Sequence, residues 1–275
     1  VVGTSESDLL TTTGGITGDI QLSSLQGNDG VTVDSAVTSG RIGMGGGVDT
    51  VTFTAAVEDV LVTLGDSVDF FTSDQANDGI TVGGQGGADT FTLDDAALDN
   101  SRFAGGQGID TFTVTEINDG NTIVGGSEDD VVNVTAAGDD NFINGQVGED
   151  EITITAIGAD ATVRGGSEDD EITLATTATG LLVAGDNGAD TISDNTAAGA
   201  NTLDGGAGAD TIAAGAGLDT IIGGAGSDRL EFVAGQSGTT DVAVIGDLEA
   251  GQSIDVTALE LVEGFDAGDT IATAN

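Results

Sequence analysis

The sequence predicts an all-β protein whose chain winds as a parallel β-solenoid with coils of about 20 residues. Three observations predict this fold: an aspartate recurs about every 20 residues, a glycine-rich motif precedes most of these aspartates, and apolar residues alternate with polar ones after them. A fixed period of this kind is typical of stacked coils, because each coil returns the chain to the same edge. Gly disfavours helix interiors while Thr, Val and Ile favour strands, so little or no helix is expected.

The aspartates mark one edge of the predicted solenoid. In its best copies, at residues 105–110 and 205–210, the motif before each aspartate reads Gly-Gly-x-Gly-x-Asp. We expect these six residues to form a turn, followed by a short strand, a second turn and a second strand. The periodic aspartates are Asp8, Asp29, Asp49, Asp69, Asp89, Asp110, Asp130, Asp150, Asp170, Asp190 and Asp210.

Alternating apolar residues predict the core. The second and fourth residues after each periodic aspartate should point inward, as should one apolar residue from each second strand. A third, mostly small column is expected near the second turn, at Ala36, Ala56, Ala137 and Ile157 among others. The first two columns include Val31, Val33, Val51, Phe53, Phe91, Leu93, Phe112, Val114, Val132 and Val134, opposite Ile42, Val62, Val82, Phe103, Ile123, Ile143, Val163, Val183 and Leu203.

Between residues 205 and 231 the repeat shortens to nine residues, in three consecutive copies: GGAGADTIA, AGAGLDTII and GGAGSDRLE. This segment resembles the RTX, or haemolysin-type, calcium-binding repeat, whose nonapeptide is Gly-Gly-x-Gly-x-Asp-x-U-x with U apolar. Only Ala214 departs from the glycine and aspartate positions of the motif. The resemblance implies a β-roll in which rows of calcium ions lie between successive turns.

The resemblance also implies which residues bind the ions. Calcium takes about six to eight oxygen ligands, which carboxylates and backbone carbonyls supply. The firmest candidates are Asp210, Asp219 and Asp228, with Asp219 on the opposite edge because nine residues make half a coil there. The glycines of these turns are Gly205, Gly206, Gly208, Gly215, Gly217, Gly223, Gly224 and Gly226. The longer coils add Asp190, Asp110, Asp89, Asp150, Asp130, Asp170 and Asp49, and more weakly Asp8, Asp29 and Asp69.

Two of the longer coils depart from the motif. Before Asp130 and Asp170 the third glycine is replaced by Glu128 and Glu168. These turns either bind calcium through the additional carboxylates or do not bind it at all, and Asp and Gly are also common in turns for steric and hydrogen-bonding reasons alone.

Charge restricts the partners. The chain has 48 Asp and Glu residues against four Arg, a formal net charge of −44. Such self-repulsion opposes compaction unless cations bind, and it excludes nucleic acid and anionic membrane surfaces as partners. The absence of Cys excludes disulfides and thiolate metal sites, and no apolar run is long enough to span a membrane. Since Val1 is not a natural initiator, we expect the chain to be processed or excised from something longer.

Three segments are expected: the solenoid of longer coils over residues 1–204, a continuous RTX β-roll over 205–231, and a C-terminal cap over 232–275. The last contains two similar stretches, 245–254 and 262–271, which resemble the segment that commonly follows RTX repeats. A cap is also expected physically, because an exposed last coil would offer unpaired strand edges.

The sequence thus predicts an extracellular structural protein, stabilised by several calcium ions, that forms part of a surface layer, filament or adhesin. Its composition resembles that of bacterial surface-layer proteins. The RTX resemblance implies type I secretion, with folding outside the cell on calcium binding. We expect self-association in a lattice or filament, or contact with other cell-surface components.

Two alternative functions are also compatible with the sequence. An outward column of Thr32, Thr52, Thr72, Thr92, Thr113, Thr153 and Thr173 is similar to the threonine arrays of ice-binding β-solenoids. A second alternative is a non-catalytic calcium-binding module of a larger secreted enzyme. Catalysis by this chain is not expected, because His, Lys and Tyr are absent and the four Arg are scattered.

Overall fold

The computed structural model describes residues 6–12, 19–22, 26–75, 77–195, 199–215, 217, 219–232, 244–245 and 253–255. Over these residues the secondary structure is β-strand without helix, and accordingly no helix there could cross a membrane. The first strands are β1 (Leu9–Thr12), β2 (Asp19–Leu22), β3 (Gly30–Val33), β4 (Ser39–Gly46), β5 (Thr50–Phe53), β6 (Val60–Asp66), β7 (Phe70–Ser73), β8 (Thr81–Gly86), β9 (Thr90–Asp94), β10 (Arg102–Gln107), β11 (Thr111–Glu116) and β12 (Thr122–Ser127). The later strands are β13 (Val131–Val134), β14 (Phe142–Val147), β15 (Glu151–Ile154), β16 (Thr162–Ser167), β17 (Glu171–Leu174), β18 (Leu182–Asn187), β19 (Thr191–Asp194), β20 (Thr202–Ala207), β21 (Thr211–Ala214), β22 (Thr220–Ile222), β23 (Arg229–Phe232), β24 (Val244–Ile245) and β25 (Ser253–Asp255).

The strands form two parallel sheets. The odd-numbered strands make a 13-stranded sheet, called here the first sheet, and the even-numbered strands make a 12-stranded second sheet. Each strand pairs in parallel with the strand one coil later, so that Val31 lies beside Val51 and Val51 beside Phe71. The predicted parallel β-solenoid with coils of about 20 residues is therefore confirmed.

The core lies between the two sheets and consists of the predicted inward columns. Every residue of the two main columns is buried, because alternation along each strand sends every second side chain inward. Aromatic rings contact one another in the core: those of Phe91 and Phe112 stack with centroids 4.5 Å apart, and Phe71 lies 5.2 Å from Phe53 of the first sheet and 5.9 Å from Phe103 of the second. Stacked inward residues thus hold one coil on the next.

The prediction for the third column is wrong by one residue at two coils. Ala36 and Ala56 are exposed, whereas the adjacent Val37 and Val57 are each 1% exposed. Alternation continues beyond the strand into the second turn, and it brings the larger apolar side chain inward. Ile157 is buried as expected, and Ala137 packs partly against the core.

The glycine pairs also lie differently from the expectation. Gly105 and Gly106 belong to β10 instead of forming the start of a turn, and Gly106 pairs with Gly126 of the next coil. The bend at this edge is therefore confined to the residues after Gln107. The reason is that the glycine backbone remains hydrogen-bonded to its neighbours in the sheet even where its φ angle is positive, as at Gly106 (117°).

The outer face of the first sheet carries the predicted threonine column. Thr32, Thr52, Thr72, Thr92 and Thr113 occupy consecutive paired positions, and Asn133 interrupts the column in the next coil. The ice-binding alternative stays a prediction.

The coils shorten near the C-terminus. Thr202 pairs with Thr220 and Thr211 with Arg229, a period of 18 residues that matches two nonapeptides. Strands β24 and β25 then continue the two sheets in parallel beyond residue 232. The remainder of the predicted cap, including the stretch 262–271, lies outside the described residues.

Candidate metal centre

The periodic aspartates form one continuous row at the edge where the second sheet passes into the first. From the second member onward each is at most 3% exposed, although the net charge would favour placing carboxylates in water. The row, called here the Asp column, comprises Asp8, Asp29, Asp49, Asp69, Asp89, Asp110, Asp130, Asp150, Asp170, Asp190, Asp210 and Asp228.

Hydrogen bonds connect each aspartate to the next. The backbone N–H of Asp110 donates to Oδ1 of Asp130 at 2.7 Å, and the N–H of Asp130 donates to Oδ1 of Asp150 at the same distance. The pattern runs without interruption from Asp8 to Asp228, with distances of 2.6–3.0 Å. One carboxylate oxygen of each residue therefore joins two coils.

The other carboxylate oxygen has no partner. Oδ2 is buried and accepts no hydrogen bond at Asp29, Asp49, Asp69, Asp89, Asp110, Asp130, Asp150, Asp170, Asp190 and Asp210. Buried polar atoms in folded proteins nearly always have a partner, and a buried charge without one is costly. A repeated exception of this kind indicates that either a cation or a proton belongs at these oxygens.

On the opposite edge, the same backbone arrangement provides hydrogen-bond partners for both polar atoms of an asparagine side chain. Oδ1 of Asn121 accepts the N–H of Ser101 at 3.0 Å, as the aspartates do, while its Nδ2 donates to the carbonyls of Leu98 and Asn118. Asn141 repeats this arrangement one coil later. We call Ser101, Asn121, Asn141, Asn201 and Asp219 the opposite column. An asparagine thus offers two donors where an aspartate offers only a second acceptor.

Glycines leave room for the unpartnered oxygens. A Cβ added to Gly105 would lie 2.0 Å from Oδ2 of Asp110 and 2.6 Å from the carbonyl oxygen of Gly125 in the next coil. Oδ2 and this carbonyl oxygen therefore flank the same point. Similar contacts occur at Gly84, Gly125, Gly185 and Gly205.

These oxygens fit a hard cation. Calcium prefers carboxylate and carbonyl oxygens, and the Asp column places both types side by side, coil after coil. Within the described part of the chain, no three His, Cys, Asp or Glu residues come together as a metal-binding group. Binding at the column would therefore depend on backbone carbonyls in addition to Oδ2. A bound cation would supply the positive charge that the column lacks.

Burial raises the pKa values of the carboxyl groups in the Asp column. Removal from water disfavours the charged form, the N–H of the preceding coil opposes this effect, and nearby carboxylates add to it. The pKa is raised at Asp49 and Asp190, to about 6 at Asp69, Asp150 and Asp210, to about 7 at Asp89 and Asp110, and to about 8 at Asp130 and Asp170. At Asp130 and Asp170, where the pKa is about 8, the carboxyl group therefore favours either a proton or a cation near neutral pH.

The two divergent turns keep the common geometry. Glu128 and Glu168 adopt φ angles of 76° and 83°, in the left-handed region that glycine occupies in most other coils. Their charges lie near the preceding coil, where Glu128 contributes to the raised pKa of Asp110. Binding through extra carboxylates stays a prediction, but the departure from the motif does not displace Asp130 or Asp170.

The nonapeptide candidates are divided between the two edges. Asp210 and Asp228 belong to the Asp column, and Asp219 belongs to the opposite column, where its Oδ1 accepts the N–H of Asn201 at 3.0 Å. Gly206, Gly208, Gly224 and Gly226 have positive φ angles, and Gly205 and Gly217 lie against the next or preceding coil. The carbonyl oxygen of Gly223 and Oδ2 of Asp210 both lie close to where a Cβ on Gly205 would be. Gly215 directly follows β21.

Sequence reasoning missed the opposite column and the inward direction of the aspartates. The recurrence of asparagine at positions 121, 141 and 201 was an available signal for the opposite column. The inward direction had no comparable signal, because a turn aspartate can equally point into solvent.

Comparison with known proteins agrees with this geometry at the C-terminal end. Residues 195–230 match the family model of the RTX calcium-binding nonapeptide repeat, in four copies. The match begins before the three copies counted from the sequence, which start at residue 205. No curated protein matches the chain. The chain is therefore a parallel β-solenoid that carries RTX calcium-binding repeats near its C-terminal end.

The close contacts around Gly84 predict that alanine substitutions at Gly84 and at the adjacent Gly83 will affect stability very differently. In Gly84→Ala, the new Cβ would lie 2.0 Å from Oδ2 of Asp89 and 2.4 Å from the carbonyl oxygen of Gly105. We expect a loss of about 1–3 kcal/mol in the free energy of unfolding, as for other overpacked sites. Gly83→Ala is the control, since a Cβ there meets nothing within 4 Å. Denaturant titration in calcium measures both variants, and equal effects would contradict the assignment.

The raised pKa values predict how the calcium-free chain responds to pH. The ordinary pKa is 3.8 and the folded values reach about 6 to 8, so the folded state binds more protons in this window. The resulting stabilisation is complete below about pH 4 and disappears as the pH rises through about 6 to 8. With chelator, the denaturant midpoint should therefore fall between about pH 5 and pH 8, and calcium should weaken this dependence. A chelated chain that gained stability as the pH rose would contradict the burial of these carboxyl groups.

Proposed function

We propose that the chain is an extracellular structural protein, a segment of a surface layer, filament or adhesin, whose stacked coils calcium holds together. The observation that carries the proposal is the Asp column, with one unpartnered buried oxygen per coil next to a carbonyl oxygen. The RTX match at residues 195–230 supports calcium as the cation.

The physical basis of the proposal is the cost of stacking like charges. Neighbouring carboxylates in the column repel one another, and their burial removes the screening by water. A cation beside Oδ2 would offset this repulsion and contact adjacent coils. Because the metal-binding position forms only when the coils stack, the free energy of calcium binding contributes directly to folding.

The proposed location follows from the same coupling. RTX repeats are typical of secreted proteins, and the resemblance to them implies type I export of an unfolded chain. In cytosol with little calcium, the charge of −44 would keep the chain expanded. Outside the cell, calcium would drive folding.

The proposed role is structural and non-catalytic. The sequence has no His, Lys, Tyr or Cys, and the candidate carboxylates are buried and repeated instead of forming one distinct pair. Regular parallel sheets favour an extended building block. The proposed partners are copies of the same chain in a lattice or filament, or other cell-surface components.

The proposal predicts that calcium controls both folding and shape. Circular dichroism and size-exclusion chromatography should report β-structure and a folded elution volume in millimolar calcium. After chelation near pH 8, the β signal should fall and the chain should elute as an expanded polymer. Unchanged spectra and elution after chelation would contradict the proposal.

A substitution within the column sharpens this test. Asp130→Asn keeps Oδ1 for the N–H of Asp110 but removes one buried charge. We expect the variant to lose about 1.5–3 kcal/mol of calcium-dependent stabilisation, the usual contribution of an interaction with a charged group. In chelator near pH 8 the variant should retain more β-structure by circular dichroism than the parent chain, because one repulsive charge is gone.

The matched control is Asp139→Asn. Asp139 is exposed, yet its Oδ1 also accepts a backbone N–H from the next coil, that of Ala159 at 2.7 Å. This change should alter stability by less than about 0.5 kcal/mol in calcium or chelator, as surface substitutions usually do. The same response from the two variants would show that burial in the Asp column has no special role.

A further inference from the structure

One surface of the solenoid carries no charged side chain, although the net charge of the chain is −44. In each of five successive coils it consists of the residue before the buried aspartate and the next two outward residues, which belong to the first sheet or directly precede it. Two successive coils contribute Val48, Thr50 and Thr52, and then Val68, Phe70 and Thr72. This surface, called here the uncharged patch, extends from residues 28–32 to residues 109–113.

Exposed apolar side chains are concentrated in the uncharged patch. Among the described residues, seven large apolar side chains are exposed, and four of them lie here: Val48, Val68, Phe70 and Ile109, which are 43%, 42%, 40% and 52% exposed. The coils on either side of Phe70 place Thr50 and Thr90 at the paired positions, so the fold itself does not require an aromatic side chain there. Contiguous apolar side chains in contact with water are typical of an interaction surface.

Acidic residues border the uncharged patch. Asp129 precedes the buried aspartate of the following coil, and Glu149 and Glu151 occupy outward positions of the coil after that. On the flank, Asp74 and Asp94 follow the patch residues of their coils and are exposed. A core depleted of charge inside a polar rim is the usual arrangement of a protein–protein interface.

The charge distribution favours a second copy of this chain as the partner. A basic partner would be attracted to the acidic remainder of the surface, and the patch has no charge to complement it. Two copies of the chain repel each other wherever their acidic surfaces meet, and they can approach with least repulsion through this patch. In a two-fold arrangement the same surface meets itself, so the absence of charge on one copy is matched by its absence on the other.

We propose that two copies of this chain associate face to face through the uncharged patch, with Phe70 as the central apolar anchor. Because coils are spaced about 4.8 Å apart, the patch is about 19 Å long. This is small for a stable dimer, so a single contact gives weak association, and many such contacts add up in a lattice or filament. The inference deepens the proposed structural function, on which it rests for the purpose of self-association.

Analytical ultracentrifugation of the full chain in calcium tests the interface. The parent chain should dimerise as its concentration rises, and added salt should strengthen association by screening the acidic borders. Phe70→Thr introduces the residue of both neighbouring coils and should lower the association constant at least about tenfold, as expected for an aromatic anchor. Ile109→Ala, which matches Ala88 one coil earlier, should also weaken association.

Leu182→Thr is the matched control. Leu182 is 37% exposed on the second sheet, and it too lies between two paired threonines, Thr162 and Thr202. This variant should associate like the parent, and circular dichroism in calcium should show the same β signal for all variants. A parent chain that stays monomeric at every concentration and salt, association weakened by salt, or equal effects of Phe70→Thr and Leu182→Thr would each overturn the proposed interface.

Two further results distinguish this inference from the other proposals. A monomeric parent that inhibits ice recrystallisation, with the effect lost in Phe70→Thr, would overturn the second copy as partner and assign the patch to the ice-binding alternative. A monomeric parent that still loses its β signal on chelation would overturn the interface and leave calcium-dependent folding standing. Patch-dependent association with spectra unchanged by chelation would support the interface and overturn the proposed role of calcium.

Discussion

The structure depends on the burial of one carboxylate per coil in a continuous column. Parallel stacking places successive coils about 4.8 Å apart, so these charges are close neighbours over the length of the sheets. The hydrogen bonds from each N–H to the next Oδ1 align the coils, but they leave Oδ2 and the negative charge uncompensated. Folding must therefore be accompanied by the uptake of protons or cations. The free energy of unfolding then depends on the pH and on the cation concentration.

The two edges of the solenoid use the same backbone pattern with different side chains. On one edge, Asn121 and Asn141 accept an N–H from the preceding coil and return their own donors to nearby carbonyls. At these two coils the side chains on that edge satisfy their neighbours without an ion. On the other edge, Oδ1 of Asp110 and Oδ1 of Asp130 also accept an N–H from the preceding coil. Their Oδ2 atoms, however, lie near a carbonyl oxygen and have no donor. An aspartate in place of an asparagine thus leaves a buried oxygen without a donor, and this oxygen is where the proposed cation would bind.

Much of the fold could be predicted, because a solenoid repeats its physical constraints in every coil. The spacing of the aspartates gave the coil length, and strict alternation gave inward residues such as Val51 and Phe112. The third column failed at Ala36 because alternation persisted through a turn where no strand was expected. The aspartates of the candidate site were predicted, but the inward direction of their side chains was not. Local sequence cannot determine whether a turn aspartate faces water or the next coil.

The central claim is that cations and protons compete for the same buried carboxyl groups. It is tested most directly by calorimetric titration of the chain with calcium in buffers of different ionisation enthalpy, which counts the protons released on binding. At about pH 6, where pKa values of about 7 to 8 leave Asp89, Asp110, Asp130 and Asp170 protonated, calcium should release several protons per chain. At about pH 9 the release should approach zero. Calcium binding without proton release at the lower pH would contradict the account, because the ions would then be bound elsewhere.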